Sequence, residues 1–142
     1  MEATANPAAP TFFAPHLTLR VVRTGVEFYQ AAFGAVLLRQ FDNPDGSIHV
    51  AEMELNGCLF HLHEETPRTG ELSPETLKGT TSLIGVFVPD PSALVARAVA
   101  AGARIIHPVQ DYDYGYRQGT IADPAGHLWL IQKRIDPLPG PV

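Results

Sequence analysis

The sequence predicts an α+β domain built from two tandem β-α-β-β-β modules. Three observations predict it. First, the chain repeats itself: residues 16–64 align with residues 83–133 at a nearly constant offset. His16-Leu17-Thr18-Leu19-Arg20-Val21 answers to Leu83-Ile84-Gly85-Val86-Phe87-Val88, and Ala32-Phe33-Gly34-Ala35 answers to Ala100-Ala101-Gly102-Ala103. Second, each copy holds one stretch of helical period among stretches of period two. Third, Asn56-Gly57 and Ala125-Gly126 punctuate the two copies at the same place. A repeat of this kind is one supersecondary unit that cannot bury its apolar face alone.

The elements follow in order. Residues 13–22 nearly alternate apolar and polar, as a half-buried strand does. Thr24 is placed to cap a helix running to Phe33, with Glu27 three residues on as in a capping box. Val26, Tyr29, Ala32 and Phe33 form its apolar stripe, and Gly34 stops it. Residues 36–41 are a second strand, and Asp42-Asn43-Pro44-Asp45-Gly46 is a turn. Residues 48–55 and 58–63 are strands joined by Asn56-Gly57, the strongest short hairpin signal. Residues 64–81 form a polar linker. The pattern then restarts with a strand over 83–88. Asp90-Pro91 opens a helix through Ala101, with Asp at the N-cap and Pro at the first helical position. Its expected buried stripe is Leu94, Val95, Ala98 and Val99. Strands over 104–107, 116–122 and 127–133 complete the second module. The expected boundaries are a tail over 1–12, module one over 13–64, a linker over 65–81, module two over 82–135 and a tail over 136–142.

Strand parity separates two faces. Leu17, Leu19, Val21, Phe60 and Leu62 of module one fall in one apolar set with Ile84, Val86, Val88, Trp129 and Ile131 of module two. The opposite set is mixed. In module one it holds His16, Thr18, Arg20, Leu59, His61 and His63. In module two it holds Leu83, Gly85, Phe87, Leu128, Leu130 and Gln132. A ligand is expected on this mixed face, because an antiparallel sheet with one apolar face is only half covered.

Composition narrows the function classes. The 142 residues suffice for one domain with a real core. The net charge of −5 and scattered basic residues argue against nucleic acid and against an anionic membrane surface. Cys58 is alone, so no intrachain disulfide or cysteine-based zinc cluster is expected. No signal segment or bilayer-spanning stretch is evident, and a cytoplasmic location is the expectation.

The duplicated module, Leu19-Arg20-Val21, Phe28-Tyr29 and the run Asp123-Pro124-Ala125-Gly126-His127 resemble the vicinal oxygen chelate superfamily. That superfamily includes glyoxalase I, bleomycin-resistance proteins and extradiol dioxygenases. The segments at Tyr112–Arg117 and Ala98–Gly102 resemble the branch named after a phosphonate-operon protein. The resemblance implies a curved mixed sheet around a cavity, helices on its outer face, and a homodimer. In metal-using members four ligands enter the cavity, and the corresponding positions here are His16, His61, Leu83 and Leu130. Two of the four cannot bind a metal, and a catalytic site usually has three protein ligands.

Two main functions stay open on these residues. One is a small-molecule-binding protein with no cofactor. Its pocket would comprise His16, Thr18, Arg20, Leu59, His61, His63, Leu83, Phe87 and Leu130 of the mixed set, together with Tyr112, Tyr114, Tyr116 and Arg117. Three tyrosines at alternate positions beside an arginine suit a flat or anionic ligand if the segment is extended, and a dimer contact equally well. The other is a lyase, isomerase or dioxygenase using zinc, nickel or iron on His16 and His61, with His63 as a possible third ligand. A partner-binding module on an exposed sheet face is a third. Glu52 and Glu54 are expected to face solvent. His127 is expected to bond locally, His49 and His107 to be solvated, and Cys58 and Trp129 to lie in the core.

Overall fold

The computed structural model describes residues 9–136. The outer parts of both expected tails, residues 1–8 and 137–142, lie outside the described residues. Module one runs β1 (His16–Leu19), α1 (Val22–Phe33), β2 (Val36–Asp42), β3 (Ile48–Leu55) and β4 (Cys58–Glu64). Module two runs β5 (Leu83–Phe87), α3 (Pro91–Ala100), β6 (Arg104–Tyr112), β7 (Tyr116–Ala122) and β8 (Leu128–Arg134). The linker is more ordered than its polarity suggests. A 3-10 turn spans Pro67–Thr69, a short helix α2 spans Pro74–Leu77, and Ser73 accepts the Thr76 amide at its start.

The two modules have the same topology. The strand order is β1-β4-β3-β2 in one four-stranded sheet and β5-β8-β7-β6 in the other. In each, the first strand runs parallel to the last, and the other pairings are antiparallel. The β3–β4 turn carries φ of 48° at Asn56 and 84° at Gly57. That is the doubly left-handed pair a tight hairpin demands, and it sets Leu55 opposite Cys58.

The apolar faces meet in one core. Leu17, Leu19, Phe60 and Leu62 are joined in it by Trp129 and Ile131, with α1 packed against α3. Tyr29 touches both modules, with its ring 5.3 Å from Phe60 and 5.6 Å from Trp129. Its hydroxyl donates to Asp123 Oδ2, and the Trp129 indole donates to the same oxygen at 3.0 Å. Asp123 Oδ1 accepts the amides of Ala125 and His127, both at 3.0 Å. A buried carboxylate is tolerated here because every lone-pair direction has a donor.

Several expectations are corrected. The first strand starts at His16, and α1 begins at Val22 with Val21 at its N-cap and no side-chain cap. Thr24 therefore sits inside the first turn, where its hydroxyl donates back to Val21 O at 2.8 Å. Val21 leaves the sheet and is 55% exposed, so it drops out of the apolar set. Val99 of α3 is 42% exposed, leaving Val95 and Ala98 as the buried pair. Strand β6 reaches Tyr112, past the expected end at His107, helped by register shifts around His107. Cys58 opens a hairpin strand and is exposed.

Candidate functional site

The mixed face of module one is a histidine cluster. The β1–β4 register sets His16 beside His61 and Thr18 beside His63, and Leu59 follows by parity on the same face. The His16 ring lies 5.3 Å from His63 and 6.2 Å from His61. His49 joins them with its ring 4.7 Å from His63. Strand parity alone does not place it there. The β2–β3 pairing passes from Val50 to Ile48 and skips His49, a bulge that re-aims the side chain. His49 is therefore not simply solvated. Its Nδ1 lies 2.9 Å from Glu64 Oε1, and His63 Nδ1 lies 2.7 Å from Glu64 O.

Glu52 is also corrected. It stands opposite His61, with Oε2 3.5 Å from His61 Nε2, while Arg39 donates to both of its oxygens at 2.7 and 3.2 Å. The Arg39 hydrogen bonds hold the Glu52 carboxyl below the usual carboxylate range. Loss of water around His16, followed by the charges of His63 and His61, lowers the His16 pKa, against a smaller opposing pull from Glu71.

Arg20 does not extend this face. It lies beyond β1 and donates from Nε to Thr76 Oγ1 at 3.1 Å, with Glu65 at 4.0 Å, which ties α2 to the start of α1. His127 does not bond locally either. Its Nε2 lies 2.9 Å from Thr18 O, a link between the modules across the free edge of β1.

The mixed face of module two is apolar at one end and aromatic at the other. Leu83 pairs with Leu128, Gly85 with Leu130 and Phe87 with Gln132. Gln132 pairs in turn with Gln118, Leu130 with Thr120 and Arg134 with Tyr116. The tyrosines do gather, but through a hairpin and not an extended stripe. Tyr112 pairs with Tyr116 across a turn at 113–115 in which Gly115 has φ of 95°. Tyr114 stacks on Tyr112 at 5.3 Å and lies 5.8 Å from Tyr116, whose ring is 5.9 Å from Phe87. Arg117 has the opposite parity from Tyr116 and is held bidentate by Asp111 at 2.6 and 3.1 Å, so it is not free to meet an anion. The cation on the aromatic side is Arg134, whose guanidinium lies 5.6 Å from the Phe87 ring. Nothing in the repeat pattern distinguishes Arg134 from an ordinary strand-end residue.

A metal centre of the four-ligand kind does not fit these residues. His16 and His61 pair across β1 and β4, but the matching cross-strand pairs of module two, Leu83–Leu128 and Gly85–Leu130, have no metal-binding side chain. Among the described residues no three His, Cys, Asp or Glu side chains are grouped to hold an ion.

Known proteins agree with the architecture. Residues 15–131 match the model of the glyoxalase/bleomycin resistance protein/dioxygenase superfamily. An uncharacterised protein of Mycobacterium bovis is 34% identical over 125 residues, covering 86% of this chain and 82% of that one. Among solved structures, TioX from Micromonospora sp. ML1 superposes with a TM-score of 0.69 at 26% identity, covering 88% of this chain and 99% of that chain. A glyoxalase-related enzyme from Fulvimarina pelagi superposes with a TM-score of 0.62 at 22% identity, over 86% and 88% of the two chains, a likeness of fold. With the matched segment running from β1 into β8, the chain belongs to the glyoxalase/bleomycin resistance protein/dioxygenase superfamily.

Proposed function

We propose that this chain is a small-molecule-binding member of its superfamily, that it holds its ligand on the mixed sheet face without an obligatory metal, and that it acts as a homodimer. One observation carries the proposal. Leu83 pairs with Leu128, and Leu130 follows on the same face over Gly85, so the module-two face that the resemblance would furnish with metal donors is an apolar floor. A floor of this kind with a few polar groups around it is the usual make-up of a small-molecule site. The homodimer rests on apolar side chains exposed away from that floor, among them Val36 and Leu38 of β2 at 55% and 49%.

The second proposal is a metal-dependent lyase, isomerase or dioxygenase centred on His16 and His61. It is favoured by Glu52 beside His61, a carboxylate in reach of a proton-transfer role. Metal content measured by mass spectrometry on untagged protein, purified without chelator, separates the two. The first expects well under one equivalent of zinc, nickel or iron, and ligand-induced stabilisation that survives EDTA. One equivalent of metal, lost in His16→Ala, would replace it with the second.

A further inference from the structure

Gln132 is 92% buried, with 8% of its surface exposed, and its side-chain amide makes no hydrogen bond among the described residues. A buried amide without partners costs free energy in the unliganded protein. It lies on the module-two face between Phe87 and Gln118, its cross-strand neighbours. Its place is made by Gly85, where an added Cβ would stand 2.8 Å from Gln132 Nε2. Thr120, also 8% exposed, is one pair along β7. Gln118 Nε2 already donates to Tyr114 Oη at 2.6 Å, which leaves its carbonyl oxygen to accept. By register this face of β5, β7 and β8 carries no carboxylate, and its one cation, Arg134, is stacked on Phe87.

We infer that Gln132, over Gly85 and beside Phe87, is the specificity-determining residue of the ligand site, and that it reads the edge of a planar, uncharged ligand with adjacent hydrogen-bond donor and acceptor, as in a fused-ring lactam. This rests on the binding function proposed above and names its ligand class. The Gln132 amide offers a donor and an acceptor side by side and is matched by the same pair reversed. Phe87 and Tyr116 supply flat apolar surface for the ring. The lack of a free cation at the amide gives a carboxylate no advantage that offsets its desolvation.

The test compares isoquinolin-1-one, naphthalene and 1-naphthoate by calorimetry on the full chain. Wild type is expected to bind the lactam at least ~10-fold more tightly than either analogue, because only the lactam satisfies the buried amide. Gln132→Leu is expected to erase that preference while keeping naphthalene binding. Gly85→Ala, which displaces the amide, is expected to do the same. Thermal stability of Gln132→Leu should equal or exceed wild type, since the amide loses no bond. Equal binding of lactam and naphthalene, a preference retained in Gln132→Leu, or tightest binding of 1-naphthoate would overturn the inference. So would a Gln132→Leu protein that melts lower or whose self-association weakens in sedimentation, since the amide would then be bonded within the fold or to a second copy. If none of the three binds while a wider metabolite screen finds a ligand, the ligand class falls and the binding function stands. If the screen also fails, both fall.

Discussion

Asp123 shows how one side chain fixes several others. Four donors converge on it, two from the side chains of Tyr29 and Trp129 and two from the turn that follows it. Burial, then the Asp123 charge, pushes the Tyr29 phenol well above its ordinary pKa. Asp123→Asn turns one acceptor into a donor facing donors. It is expected to cost about 2–3 kcal/mol, measured by urea denaturation. His16 gives a pH signature of definite sign. Its pKa is lowered on folding from 6.5, so the unfolded chain binds the proton more readily. Stability from this group is intact above pH 6.5 and lost as pH falls through the lower folded value. Melting temperature followed downward from pH 6.5 should therefore decline more steeply in wild type than in His16→Gln.

At the scale of elements, local chemistry was legible where a residue type meets its required backbone. Asp90 accepts the Ala93 amide at 3.1 Å and caps α3 as its place before Pro91 implies. Asp90→Ala should cost about 1 kcal/mol. Gly57→Ala should cost about 1–2 kcal/mol, because alanine must adopt a left-handed φ of 84°. Thr24 is the counterexample. It has the right spacing from Glu27, but the chain turns into helix three residues earlier to bury Val22 in the core. Thr24→Ala is thus expected to change stability by less than ~0.5 kcal/mol, against the ~1 kcal/mol a real cap would cost. All three are measured by equilibrium denaturation. The bulge at His49 was illegible for a related reason: period two assumes unbroken register, and one skipped residue re-aims a side chain.

At the scale of the molecule, side chains join the modules, and among the described residues no strand pairs across them. Tyr29 reaches Asp123, His127 reaches Thr18 O, and Arg97 Nη2 donates to Ala31 O at 3.1 Å. Neither module buries its apolar face without the other. Urea unfolding followed by Trp129 fluorescence and by far-ultraviolet circular dichroism should therefore give one coincident transition. Two separated transitions would mean that the modules are independently stable. Among the described residues no helix is long and apolar enough to cross a membrane.

The sequence by itself determined the duplicated β-α-β-β-β order, the Asn56-Gly57 hairpin, the α3 cap and the loss of histidines from the first and last strands of the second copy. Each of these depends on residue type and local spacing, which the chain carries in one dimension. Only the tertiary structure decided what depends on partners distant in sequence. It set Glu52 against His61, bound Arg117 to Asp111 and laid Arg134 over the Phe87 ring. It also left the Gln132 amide buried over Gly85 with no hydrogen-bond partner among the described residues. Cross-strand register and burial select those partners, and neither is set by any short stretch of sequence.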